Sequence, residues 1–105
     1  MVKADFFKNS ENKLLGFCIS GHSDYAAMGD DVACASISSA VMLTANAMTD
    51  IFKLDAKVGV QENEIMLKLN GADDIGDKLL LSLLTQLYEI QHQYPSSVEI
   101  TIYDR

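Results

Sequence analysis

Apolar and polar residues alternate from Val2 to Phe7, with Val2, Ala4 and Phe6 on one side and Lys3, Asp5 and Phe7 on the other. A period of two is the pattern of a strand. The polar run from Lys8 to Lys13 predicts a hairpin loop. Leu15, Phe17 and Ile19 then alternate with Gly16, Cys18 and Ser20, giving a second strand that ends at Gly21-His22. The next segment, Ser23 to Asp30, carries no period. From Asp31 to about Phe52 the spacing turns helical: Ala33, Ile37, Val41, Met48 and Ile51 share a face, widened by Ala40, Ala45 and Phe52. Asp30 or Asp31 is expected to cap that helix, because an Asp oxygen accepts from an otherwise unpaired N–H of the first turn.

Val58 and Val60 predict a short strand, Gln61-Glu62-Asn63 a turn, and Ile65, Leu67 and Leu69 a further strand alternating with Glu64, Met66 and Lys68. Asn70-Gly71-Ala72 breaks the pattern, and Asp73 or Asp74 caps a second helix. Ile75, Leu79, Leu83 and Leu87 recur there every fourth residue, beside Leu80, Leu84, Ile90 and Tyr94, until Pro95 closes it. The last strand sets Val98, Ile100 and Ile102 against Glu99, Thr101 and Tyr103. The expected class is therefore α+β, in the order β-β-α-β-β-α-β. Strands with one dry face place both helices on one side of a single mixed sheet, a two-layer sandwich. With no linker, low-complexity tract or clear repeat, residues 1–105 read as one domain.

The 105 residues are 49% apolar and 22% charged, with one Pro and six Gly, which is globular rather than disordered composition. The net charge of −7 repels phosphate and argues against direct, non-specific nucleic-acid binding. It favours a basic protein or peptide partner through encounter rate, or serves solubility alone. The first residues lack the apolar run of a secretory signal. No stretch of about 20 apolar residues is seen, so no transmembrane helix is expected. Two cysteines in such a chain are expected to be free, and the expected location is the cytoplasm.

Chemistry concentrates between Gly21 and Cys34, where one His, three Asp and a Cys fall close together. A helix starting at Asp31 puts Cys34 at the end of its first turn. Unpaired backbone N–H groups and the helix dipole favour a thiolate at such a place. Helical side chains lean toward the N-terminus, which aims the sulfur back at the loop and at His22, a proton carrier near neutral pH. The same N–H groups suit an oxyanion. Asp24, Asp30 and Asp31 would oppose a thiolate if they faced it; capping the helix or orienting the imidazole suits them better. Spacing alone does not separate Asp31 from Asp30. It also leaves Cys34 open to a plain reading as a small core residue on an Ala-rich helix.

The run Gly21-His22, Gly29-Asp30-Asp31-Val32-Ala33-Cys34-Ala35 and Ser38 resembles the bacterial ribosomal-processing cysteine protease family. That family carries Gly-His, a short variable loop, Gly-x-Asp, two small or β-branched residues, Cys, and Ser one turn on. Length and strand order agree along essentially the whole chain; Ser23 departs, where the family often has Ala. The resemblance implies a Cys-His endopeptidase acting on large-subunit ribosomal protein number twenty-seven. It would remove an N-terminal extension, cutting after an aromatic residue. Cys34 would be the nucleophile, His22 the base and Asp31 the fixed acid. It also implies a homodimer, with a mobile loop from Ser23 to Met28, and no cofactor.

Cys18 reads as structural, since Gly16 and Ser20 give it no electropositive setting, and a disulfide with Cys34 is not expected. His92 reads as a solvated residue near a helix end, and Met42 and Met48 as core filler. Ser38 either touches the site or keeps a contact small. An apolar wall from Tyr25 or Met28 would suit an aromatic substrate side chain. Two rival readings are a metal site built from His22, Asp24, Asp30, Asp31 and Cys34, whose spacing fits no ligand signature, and a non-catalytic assembly module that binds a basic ribosomal protein. Under the latter, Cys34→Ser would keep the biological role.

Overall fold

The strand patterns become β1 (Val2–Lys8) and β2 (Leu14–Ser20), paired antiparallel from Lys3↔Ser20 to Lys8↔Leu14. The computed structural model describes residues 1–21 and 28–104, without the side chains of residues 28–31. Between β1 and β2 the Asn9 side chain accepts from the amides of Glu11 and Lys13, at 2.9 and 3.0 Å, and closes the hairpin loop. A side chain that binds its own backbone in this way favours turns over strands.

The first helix, α1, runs over Met28–Asn46 and continues as a π turn over Ala47–Ile51. The hairpin β3 (Ala56–Gln61) and β4 (Glu64–Leu69) comes next, then α2 (Asp74–Gln93) and β5 (Val98–Asp104). The strands form one five-stranded sheet in the order β3-β4-β2-β1-β5. The pairing of β1 with β5 is parallel, from Val2↔Val98 to Lys8↔Asp104, and the other three pairings are antiparallel. This is the mixed α+β sandwich that the patterning predicts.

One face of the sheet is dry because its alternate residues are apolar. Val2, Ala4 and Phe6 of β1, Phe17 and Ile19 of β2, and Leu67 and Leu69 of β4 are buried. Ala33, Ile37, Val41, Ala45 and Met48 of α1 share their core with Leu80, Leu83, Leu84, Leu87 and Ile90 of α2. Burying one such large side chain contributes about 1.5–3 kcal/mol. The opposite face carries Lys3, Asp5, Cys18, Ser20 and Met66, and Phe7 stacks there on Tyr103 with ring centroids 6.0 Å apart.

Four expectations need correction. The helix α1 begins at Met28, so Asp30 and Asp31 lie inside it and neither is its cap. The small residues before Asp31 gave no period to reveal that first turn. Ile51 and Phe52 are 73% and 47% exposed rather than in the core. The π turn explains this: the Phe52 amide donates to the Ala47 carbonyl at 2.9 Å, five residues back, and the extra residue rotates the end of the helix off the buried stripe. Ile75 is likewise exposed, because Gly76 is the residue that faces Leu69 and Leu54. Finally, Val32–Ile51 is long and apolar enough to cross a membrane by length and composition alone. Its Ala, Met and Leu residues raise its mean hydropathy without forming an unbroken run. Its buried stripe is seated on the sheet, a packing that a membrane-crossing helix would have to give up.

The second helix is capped by Asp73, whose carboxylate accepts from the Gly76 amide at 2.8 Å. Asp74, the other candidate, instead meets Lys13 at 2.6 Å.

Candidate active site

Three local features converge at one end of the sheet. The first is the end of β2. Gly21 follows Ser20 with φ at +80°, a left-handed conformation that glycine adopts without a Cβ clash. A Cβ there would also lie 3.0 Å from the Met1 carbonyl oxygen. The Gly21 amide donates to the Asn63 carbonyl at 3.2 Å, so the β3–β4 turn is tied to the residue that precedes His22. His22 itself, with Asp24 and Tyr25, lies outside the described residues.

The second feature is α1. With Met28 as its first residue, Cys34 is the seventh and stands in the second turn, not the first. Its own amide is therefore within the helical hydrogen-bonding pattern, and the free N–H groups belong to the four residues that open the helix. The expected support from the helix N-terminus acts on the sulfur from one turn further away than the sequence suggests. Cys34 is half-buried, between the buried Ala33 and the exposed Ala35, and it packs against the core from the rim. Its side chain is thus neither sealed in hydrocarbon nor fully in water. The backbone of Asp31 is helical, one turn before Cys34; the side chains of Met28, Asp30 and Asp31 are outside the described residues. Ser38, one turn beyond Cys34, is half-buried.

The third feature is the β3–β4 hairpin. Its strand β3 is at the sheet edge, and α1 leaves part of it uncovered: Val58 and Val60 are 45% and 73% exposed on the face that bears the core elsewhere. Met42 of α1, expected in the core, is 48% exposed. A cleft of about 190 Å³ lies between α1 and this hairpin, with Ser38 among the residues that line it. Alternation in the sequence marked Val58 and Val60 as apolar, but nothing in it showed that no helix covers them.

The two cysteines differ in setting, and both are free. Cys18 lies on the helix-free face, opposite Asp5 and Met66 in the flanking strands, so the sheet itself stands between it and α1. Burial pushes its thiol up, and the charge and hydrogen bond of Glu64 and the charge of Asp5 act in the same direction. Cys18 is held as a protonated thiol, which agrees with the structural role expected for it. His92 is exposed in the last turn of α2, as expected. Among the described residues, no three His, Cys, Asp or Glu are grouped so as to hold a metal ion.

Comparison with known proteins bears on this arrangement directly. The sequence pattern of the family described as cysteine protease Prp matches residues 1–99. The ribosomal processing cysteine protease Prp of Staphylococcus aureus is 22% identical over 103 residues, spanning 95% of this chain and 97% of that protein. A crystal structure of Prp from S. aureus in complex with a substrate peptide superposes with a TM-score of 0.88 at 19% identity, covering 97% of this chain and 99% of that one. Another, with a covalently linked product peptide, gives 0.85 at 20% identity over the same shares. A Streptococcus mutans protein gives 0.86 at 19% identity and covers 100% of this chain and 99% of its own. At these identities the superpositions establish the fold, while the sequence match along nearly the whole chain establishes membership: the chain belongs to the Prp family of cysteine proteases.

Proposed function

We propose that residues 1–105 act as one endopeptidase domain that removes the N-terminal extension of large-subunit ribosomal protein number twenty-seven, cutting after an aromatic residue. The observation that carries this reading is the family match over residues 1–99. The relative from S. aureus is named for ribosomal processing and was crystallised with a substrate peptide and with a covalently linked product peptide. A covalent product complex is what acyl transfer through a sulfur would leave.

In this mechanism Cys34 is the nucleophile, His22 the proton carrier and Asp31 the acid that fixes the loop or the imidazole. The Cys34 thiolate attacks the scissile carbonyl and forms a tetrahedral oxyanion, whose charge is favoured by the positive end of α1 one turn away. The oxyanion collapses, the C–N bond breaks, and His22 gives its proton to the leaving amine. Water then attacks the thioester. His22 takes a proton from that water, the carboxylate product leaves and the thiolate returns. No cofactor enters any step. The half-buried position of Cys34 supports this role, since a nucleophile must be reachable and yet partly desolvated. The excess of acidic residues suits a basic ribosomal substrate. A homodimer working in the cytoplasm completes the proposal.

Mass spectrometry of the ribosomal precursor incubated with the protein tests it. The wild type is expected to release one N-terminal fragment, whereas Cys34→Ala binds the precursor and leaves it uncut. Cleavage by Cys34→Ala, or an intact precursor with the wild type, would overturn the assignment.

A further inference from the structure

The cleft between α1 and the β3–β4 hairpin has features that the catalytic residues do not use. Val41 and Met42 of α1 and Val60 and Ile65 of the hairpin give it apolar walls, and Ser38 and Asn63 also line it. These last two connect it to the chemistry. Ser38 is one turn, about 6 Å of helix rise, beyond Cys34. Asn63 accepts the hydrogen bond from Gly21, the residue before His22. A peptide whose scissile bond reaches Cys34 thus has a lining residue of this cleft one helical turn away.

Size and charge narrow the occupant. An apolar cavity of about 150 Å³ holds one benzene ring. At about 190 Å³ the cleft takes one leucine-sized or ring-bearing side chain and not two. Met42 and Val60 are large apolar groups left uncovered in the free protein, 48% and 73% exposed, and an incoming side chain would remove them from water. The turn beside the cleft, Gln61-Glu62-Asn63, carries one carboxylate, Glu62, and no Lys or Arg; the Glu64 side chain is on the helix-free face with Cys18. Glu62 and the overall charge of −7 favour a cationic peptide over an anionic one.

We propose that this cleft is a specificity pocket, in which Met42 and Val60 select a large apolar side chain on a cationic peptide near the bond that is cut. The inference rests on the proteolytic reading above and adds the pocket to it.

The test uses the full chain and fluorogenic decapeptides of random sequence, each position fixed in turn as Phe, Leu, Ala, Lys or Glu. At one position the wild type is expected to favour Phe or Leu over Ala by about 10- to 200-fold in kcat/KM, the range an apolar pocket supplies. Met42→Glu and Val60→Glu are expected to reduce that preference to about twofold and to raise cleavage of the Lys peptides at the same position. Val60→Thr, a milder change, should give an intermediate preference. Thermal melts matching the wild type show that each variant is folded, as expected at such exposed positions. Folded variants that keep the full wild-type preference, or lose activity equally on every peptide, would overturn the pocket while leaving the protease intact. A wild type that cuts no peptide, or cutting that survives Cys34→Ala, would overturn the proteolytic reading and the pocket with it.

Discussion

Gly16 lies inside β2, opposite Lys68 of β4, where two backbones meet with no room for a side chain. A Cβ on Gly16 would run into the Leu67 carbonyl oxygen and lie 2.9 Å from the Lys68 Cα. Neither obstacle is the end of a flexible side chain, so the strands themselves would have to part. Gly16→Ala is expected to cost about 1–3 kcal/mol, the usual range for overpacking, read as a lower urea midpoint. Because β4 carries the hairpin that flanks the candidate site, peptide cleavage should fall as well. In the sequence this glycine was only a member of an alternation. A glycine within a strand often marks close backbone approach, and here the neighbour that makes it so is about fifty positions away along the chain. Cys34 shows the opposite case: its motif was legible, but its depth in the helix was not, because Met28 and Gly29 give no sign that the helix has begun.

Among the elements, α2 shows how a helix start can be fixed from outside. Asp73 caps it, and Asp77 in its first turn accepts the Leu14 amide of β2 at 2.8 Å. Lys13, beside Leu14, reaches Asp74. These contacts are not equal. Leu14 is buried, and removing the Asp77 acceptor strands its amide; Asp77→Ala is expected to cost about 1–3 kcal/mol in urea unfolding at pH 7. The Lys13–Asp74 pair is on the surface and screened, so Asp74→Ala should change that midpoint little. Its pH dependence has a defined sign. The hydrogen bond and then the charge of Lys13 hold the Asp74 carboxyl below its ordinary value. That contribution is present above the ordinary carboxylate range and is lost as pH falls through the lowered value. Asp74 in turn raises Lys13, by hydrogen bond and then charge. This part is present below the ordinary Lys range and disappears as pH rises through the raised value. The Asp cap was legible as a pair of candidates; the tie from β2 was not, since it joins residues 63 positions apart.

For the molecule as a whole, local patterning carried the element order, and distance along the chain limited the rest. Period-two and period-four spacing report which residues are apolar on a face, and this sufficed for five strands and two helices. It does not report what covers that face. Val58, Val60 and Met42 were therefore indistinguishable from core residues until the packing of α1 was known. The π turn escaped for a related reason, as one inserted residue leaves composition unchanged while turning Ile51 and Phe52 outward. The chemistry was legible as a motif because its residues are close in sequence, whereas the cleft joins α1 to a hairpin some twenty residues later.

The parallel partnership of β1 and β5 has a consequence in time rather than in space. Until residues 98–104 exist, β1 has a bare edge, and Val98 is missing from the interior. A chain stopped after Pro95 is expected to give the narrow amide dispersion of an unfolded protein in NMR, while the longer chain gives a spread native spectrum. A native spectrum from the shorter chain would refute this. Non-local pairing of this kind also slows assembly toward milliseconds or longer. Competence would then arrive only once residues 98–104 have been made, so an enzyme that cuts peptide bonds stays inert while the strands and helices that precede them are being synthesised.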